Sequence, residues 1–324
     1  LDKYKLKKTI HQFFPIDHYF LISKFLKYWR PHIAIFVDSE IWPGMSTALK
    51  NKKIPLILIN ARITKKSFKK WLKLRAFSKS IFNKITVAYP QNKETKKYLK
   101  ELKVNNIKDV GNLKIIENTK DKQDNIGNKL NIQFKKYKTW VAASTHDGEE
   151  IFCAKAHIEL KKKNKNLITI IIPRHIHRVQ DIISQIQNLN LKVVTHSSKI
   201  KTLKNVDIYV VDTFGDSQKF FKISNTVLMG KFLVVKGSQN PLEAVRYGAK
   251  ILHGPNYNNF KDIFKLLKSL KVSEKITTIK QLVTAITFKK DMRRSFKIKK
   301  IGVLILKKTL KELEIYINNE PKKT

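Results

Sequence analysis

The feature that most limits the fold is a repeated pairing of a short unbroken apolar run with a helically spaced segment. His32 to Val37 (HIAIFV), Pro55 to Ile59 (PLILI), Thr139 to Ser144 (TWVAAS), Leu167 to Pro173 (LITIIIP) and Val206 to Asp212 (VDIYVVD) are such runs. Continuous apolar runs mark strands covered on both faces, as in a parallel sheet. Shorter candidates lie at 85–88, 107–110, 191–195, 225–229 and 251–252. Helical spacing recurs over 17–29, 64–83, 91–102, 148–162, 258–268, 278–289 and 297–317. Strands alternating with helices through both halves predict an α/β chain with two doubly wound sheets.

The polar, aperiodic stretch 117–131 (ENTKDKQDNIGNKLN) interrupts the alternation. It divides the chain into a first Rossmann-like domain at 1–117, a linker at 118–134 and a second Rossmann-like domain at 135–324. The cleft between two such domains is the expected binding site.

The formal charge of +42 suits an anionic membrane surface, a phosphorylated substrate or a nucleic acid, or it reflects a drift in composition toward lysine. The lysines are spread along the chain, and neither an aromatic-rich RNA motif nor zinc-finger spacing is present. Compositional drift together with an anionic membrane surface is therefore favoured over a nucleic acid, and no nucleic-acid partner is expected. Cys153 is the single cysteine, which excludes an intrachain disulfide and a thiolate metal cluster.

Ligands of open α/β sheets bind outside the strand carboxyl ends, so the residues there are the candidates. Asp38 and Glu40 follow the first run, as a site or, for Asp38, as a helix cap. Arg62 follows the second, where a planar guanidinium suits an anion or a surface ion pair. Ser144, Thr145 and His146 follow TWVAAS; Pro173, Arg174, His175 and His177 close LITIIIP; Phe214, Gly215 and Asp216 turn into a helix. His175 and His177 read as part of an anion-binding loop or as structural residues. The stretch 236–255 (KGSQNPLEAVRYGAKILHGP) has Asn240 at a helix N-cap, Pro241 at the first helical position, Glu243 as a capping-box partner and Gly248 at a left-handed C-cap. Such a helix end presents free N–H groups that favour phosphate.

DSEIWPG, NARIT, GNLK, AASTHDGEE, PRHIHR, DTFGD and GSQNPLEA occur in one order, and with them the chain resembles the Kdo transferases over about residues 11–267. These glycosyltransferases attach 3-deoxy-D-manno-octulosonic acid (Kdo) to the lipid A precursor at the cytoplasmic face of the bacterial inner membrane. The resemblance implies a GT-B architecture, with two Rossmann-like domains facing a cleft. It implies the donor CMP-Kdo, no cofactor, no metal and an inverting transfer. By motif, Pro173, Arg174, Phe214, Gly215, Asp216, Asn240, Pro241, Leu242 and Glu243 would bind CMP. Asp38 or Glu40, with Lys114, would stabilise the transition state. Arg62, Ser144, Thr145 and His146 would line the cleft.

The chain departs from the family in three places. Asp38 stands for a glutamate, Gly44 for an asparagine after the WP pair, and Lys231, Phe232 and Ser238 for small residues in a glycine-rich loop. The family's general base and membrane anchor lie ahead of the first motif matched here, so the resemblance implies that this chain is truncated before them. The competing sequence readings are another GT-B transferase or epimerase using a UDP-sugar, and a basic RNA-binding protein.

Overall fold

The computed structural model describes residues 8–116, 126–231, 233, 239–257 and 260–318. The chain divides into two compact units, residues 1–116 with 303–324, and residues 117–302.

The first unit runs α1 (Tyr19–Trp29), β1 (Ala34–Val37), α2 (Pro43–Asn51), β2 (Leu56–Ala61), α3 (Lys65–Lys73), α4 (Arg75–Phe82), β3 (Val87–Pro90) and α5 (Lys93–Glu101). Its three strands are parallel, in the order β1-β2-β3. The helices cover one face with Leu26, Met45, Leu49, Phe82 and Leu99, packed on Leu56, Leu58 and Ala88. The single helix expected over 64–83 is two, because Leu74 leaves helical geometry at φ −111°, ψ 53°. That break lets Trp71 meet Phe82 edge to face at 5.2 Å. The strand expected at 107–110 is reduced to one bridge between Ile107 and Ala88.

The second unit runs α6 (Asn128–Phe134), β4 (Lys138–Thr145), α7 (Glu149–Lys161), β5 (Leu167–Pro173), α8 (Val179–Gln187), β6 (Val193–Thr195) and β7 (Ile208–Val210). It continues with α9 (Ser217–Ile223), β8 (Thr226–Met229), α10 (Leu242–Val245), β9 (Lys250–His253), α11 (Lys261–Ser269), β10 (Ser273–Lys275), α12 (Ile279–Ala285) and the start of α13 (Arg293–Asn318). Its seven strands are parallel, in the order β10-β9-β8-β4-β5-β7-β6. The chain builds outward from β4 through β5 on one side, then restarts at β8 on the other. The order therefore reverses beside β4, and the crevice outside the carboxyl ends of β4 and β8 is the topological switch point.

The unit boundaries differ from the sequence expectation in two ways. The described part of the expected 118–134 linker is not a spacer. It forms α6, whose Phe134 is buried against the rings of Tyr209 and Phe220, at 5.2 and 6.3 Å. Its polar residues hid a helix held by one aromatic anchor. At the other end, residues 303–324 return to the first unit. Leu313 and Tyr316 pack on Ile57, Val87 and Tyr89, and Lys108 pairs with Glu312 at 2.6 Å. No helix among the described residues is long and apolar enough to cross a membrane.

Candidate functional site

In the first unit three sequence motifs converge on one carboxylate. Asp38, just past β1, and Asn60, near the end of β2, both have left-handed backbone, at φ 58° and 51°. Asp and Asn tolerate this region better than other side chains. The turn at Asn60 shifts the β2–β3 register between Leu58 and Ala61. The Asn60 side-chain amide donates to Oδ1 of Asp38, and Lys114 Nζ lies 3.4 Å from Oδ2. Asn60 Oδ1 in turn accepts from the Leu113 N–H at 3.1 Å, and Asn112 Oδ1 accepts from the Lys114 N–H at 2.9 Å. The DSE, NAR and GNLK segments thus share a single hydrogen-bonded cluster. Arg62 joins it through its backbone, whose N–H donates to the Asp38 carbonyl at 2.8 Å. Of the two candidate acids, Asp38 pairs with Lys114, while Glu40 accepts from Trp42 Nε1 at 2.8 Å.

Beside it, Asp17 caps α2, accepting from the N–H groups of Gly44 at 2.9 Å and Met45 at 2.8 Å. A Cβ at Gly44 would lie 2.7 Å from Asp17 Oδ1, so the glycine that departs from the family pattern makes room for this carboxylate.

In the second unit the candidates gather at the switch point. Ser144 has φ 56°, and the β4–β5 register shifts between Ala143 and Thr145. Thr145 is buried, and its hydroxyl donates to Glu150 at 2.9 Å. Its carbonyl accepts the Arg174 N–H at 3.0 Å, tying the ends of β4 and β5 together. The His146 and His175 rings meet edge to face at 5.7 Å, and His175 and His177 are 5.6 Å apart. Burial lowers the His146 pKa, and the neighbouring Lys231, His175, Arg174 and Arg178 lower it further. His146 thus feels the charges of Lys231 and Arg174, an electropositive setting suited to a phosphate. Arg178 is held by Glu150 at 3.2 Å and Asp147 at 2.7 Å.

The Phe214-Gly215-Asp216 turn follows β7 with Phe214 86% exposed and Gly215 at φ 85°. Burial alone would raise the Asp216 carboxyl, but hydrogen bonds from Lys219 and Thr213 and the charges of Lys219 and His196 hold it below its ordinary range. Asp212 accepts from the Ser197 N–H at 2.8 Å. Pro173 ends β5 within the core-facing strand.

The 236–255 stretch departs from its expected roles in part. Residues 236–238 lie outside the described residues. The N-cap of α10 is Pro241, one residue later than the expected Asn240, which puts Glu243 out of capping-box spacing; Asn240 Oδ1 still accepts from the Leu242 N–H at 3.2 Å, and Gly248 has left-handed backbone at φ 82°. Pro241 takes helical backbone angles, φ −79° and ψ −14°. Helix α10 is only four residues long, and Glu243 sits in its first turn. The Leu242 side chain is wholly buried. Its N–H already serves Asn240, so Leu242 anchors the helix in the core.

Residues 2–116 match the family model described as 3-deoxy-D-manno-octulosonic-acid transferase (kdotransferase). The chain is 30% identical over 293 residues to the 3-deoxy-D-manno-octulosonic acid transferase of Rickettsia felis, spanning 90% of this chain and 63% of that protein. Both matches make this chain similar to the Kdo transferases. Against the enzyme of that name from Haemophilus influenzae it is 26% identical, over 88% of this chain and 68% of the relative. The fold is of the GT-B class. A UDP-GlcNAc 2-epimerase from Neisseria meningitidis, bound to UDP-GlcNAc, superposes with TM-score 0.53 at 16% identity, over 90% of this chain and 80% of that one. The chain spans about three fifths of the length of the first curated relatives it matches.

Sequence reasoning missed Asn60, Asn112, Asp17, Glu149, Glu150 and Arg178 as organisers of these clusters. Asn60 had a signal, an amide at a strand end. The acidic pair Glu149-Glu150 was not singled out from the sequence, yet both residues are buried. Among the described residues, no three His, Cys, Asp or Glu side chains gather as a metal site.

Proposed function

We propose that this chain forms part of an enzyme that transfers Kdo from CMP-Kdo to a hydroxyl of the lipid A precursor, at the cytoplasmic face of the inner membrane. The observation that carries the reading is the convergence of Asp38, Asn60 and Lys114 within the segment that matches the family. The cations around His146 in the second unit support a nucleotide phosphate there. Exposed Phe13, Tyr19, Phe20 and Tyr28, in a chain of such high positive charge, support an anionic membrane surface as partner.

The transfer is a direct displacement with inversion and without a metal ion. The acceptor oxygen bonds to the anomeric carbon of Kdo as that carbon's bond to the phosphate oxygen breaks. The hydroxyl proton passes to a general base, and CMP leaves with the bonding electrons. Arg174 and its neighbours receive the negative charge that develops on the leaving phosphate. Asp38, fixed by Asn60, orients the Lys114 ammonium toward charge in the transition state.

The test is calorimetric titration of the purified protein with CMP and with UDP, with and without EDTA. Binding of CMP tighter than UDP, unaffected by EDTA, is the expected result. Binding of UDP tighter than CMP rejects the reading.

A further inference from the structure

At the switch point of the seven-stranded sheet, one carboxylate joins two separate loops. Glu149, the first residue of α7, is completely buried. Its Oε2 accepts from the N–H groups of His146 at 3.0 Å and Lys231 at 2.8 Å, and its Oε1 accepts from the Leu233 N–H at 2.9 Å. His146 belongs to the turn after β4, whereas Lys231 and Leu233 follow β8. The seam between these loops is tight. Gly230 donates its N–H to the Ala143 carbonyl at 2.7 Å, and a Cβ on Gly230 would lie 2.1 Å from the Ser144 carbonyl oxygen.

Both oxygens of Glu149 are used as acceptors. An amide in their place would aim N–H groups at backbone N–H donors on one side or the other, leaving buried donors unpaired. The neighbouring acid has a different task. Glu150 is equally enclosed, and its Oε1 takes the Thr145 hydroxyl at 2.9 Å and Arg178 at 3.2 Å. Glu150 therefore links the β4 turn to the segment after β5, and Glu149 links it to the segment after β8.

We propose that Glu149 is a positioning residue, which clamps the backbone N–H groups of Lys231 and Leu233 against the β4 turn so that Lys231 and His146 face an anionic ligand, a nucleotide phosphate, in fixed register. The nucleotide part rests on the function proposed above; the clamp itself does not. With the loops joined before the ligand arrives, binding need not order them, which favours affinity.

Amide hydrogen exchange on the whole chain without ligand tests the clamp, using wild type, Glu149→Gln, Glu149→Asp and Glu150→Gln. Protection at His146, Lys231 and Leu233 is expected to fall at least tenfold in Glu149→Gln. Glu149→Asp, which keeps two acceptor oxygens, is expected to recover part of it. Glu150→Gln is expected to retain protection at Lys231 and Leu233. Calorimetric titration with CMP then tests the positioning role. Glu149→Gln is expected to raise the CMP dissociation constant at least tenfold, and Glu149→Asp to recover part of that affinity as it recovers the protection. Protection at Lys231 and Leu233 within twofold of wild type in both Glu149 variants overturns the clamp. Lost protection with unchanged CMP affinity overturns the positioning role. Wild-type protein that binds no CMP, yet loses protection in Glu149→Gln, supports the clamp and rejects the nucleotide reading.

Discussion

The ammonium of Lys114 lies 3.4 Å from one oxygen of Asp38, and Asn60 donates to the other. The two charged side chains are 36% and 39% exposed, so their attraction is screened and contributes at most about 1 kcal/mol to stability. The pair matters for where it holds a positive charge. In a chain that also carries the general base, Lys114→Ala is expected to lower kcat for Kdo transfer by about 100- to 1,000-fold, as for other preorganised groups that stabilise developing charge. Its melting temperature should stay close to that of wild type. Steady-state rates with CMP-Kdo, measured beside a thermal melt, check both parts.

Asn60 should behave in the opposite way. It is buried, has left-handed backbone and makes two side-chain hydrogen bonds, one to Asp38 and one from the Leu113 N–H. Asn60→Ala loses both bonds and places a Cβ residue in a disfavoured region, for a loss of about 2–4 kcal/mol. Asn60→Gly relieves the backbone but not the bonds and should lose about 1–2 kcal/mol. Urea unfolding midpoints separate the two terms.

Acid stability should depend on Asp207. Burial would raise its carboxyl, but the His157 ring 3.4 Å away, hydrogen bonds from Lys161 and the Lys192 backbone N–H, and the Lys161 charge hold it well below the usual carboxylate range. A carboxyl depressed by folding stabilises fully above its unfolded value, about 3.9, and that contribution is lost as pH falls toward its folded value. Stability should therefore fall with pH below about 4, and Asp207→Asn should flatten that slope while lowering stability at neutral pH. Urea midpoints taken at several pH values between about 2.5 and 7 read the slope directly.

Much of this architecture is written as local pattern. Apolar runs such as LITIIIP and TWVAAS can only be buried strands, and both are, as β5 and β4. Strand ends then follow, and with them the neighbourhoods of Asp38, Arg174 and Asp216. What local pattern does not carry is pairing across distance. That Asp38 rather than Glu40 meets Lys114 depends on a left-handed turn at Asn60 and a cap at Asn112. Helix α6 was hidden for a related reason, since its stability comes from Phe134 reaching Tyr209 and Phe220. The burial of Glu149 depends on Lys231 and Leu233, far along the chain.

Gly44 offers a test of how this chain accommodates a departure from the Kdo transferase motif it resembles. Asp17 accepts from the N–H groups of Gly44 and Met45 at 2.9 and 2.8 Å, satisfying two free donors at the start of α2 and placing negative charge at the positive end of the helix. A side chain at Gly44 would meet Asp17 Oδ1 at 2.7 Å and Ile22 Cδ1 at 3.1 Å. Asp17→Ala is expected to lose about 1–2 kcal/mol through the missing cap. Gly44→Asn, which restores the family's residue, should lose a similar amount, because it expels the same carboxylate. Asp17 and residue 44 then act through one interaction, so the double variant should lose clearly less than the sum of the two single changes. A double-variant cycle of urea unfolding reads the coupling; strict additivity would mean that Asp17 does not cap α2.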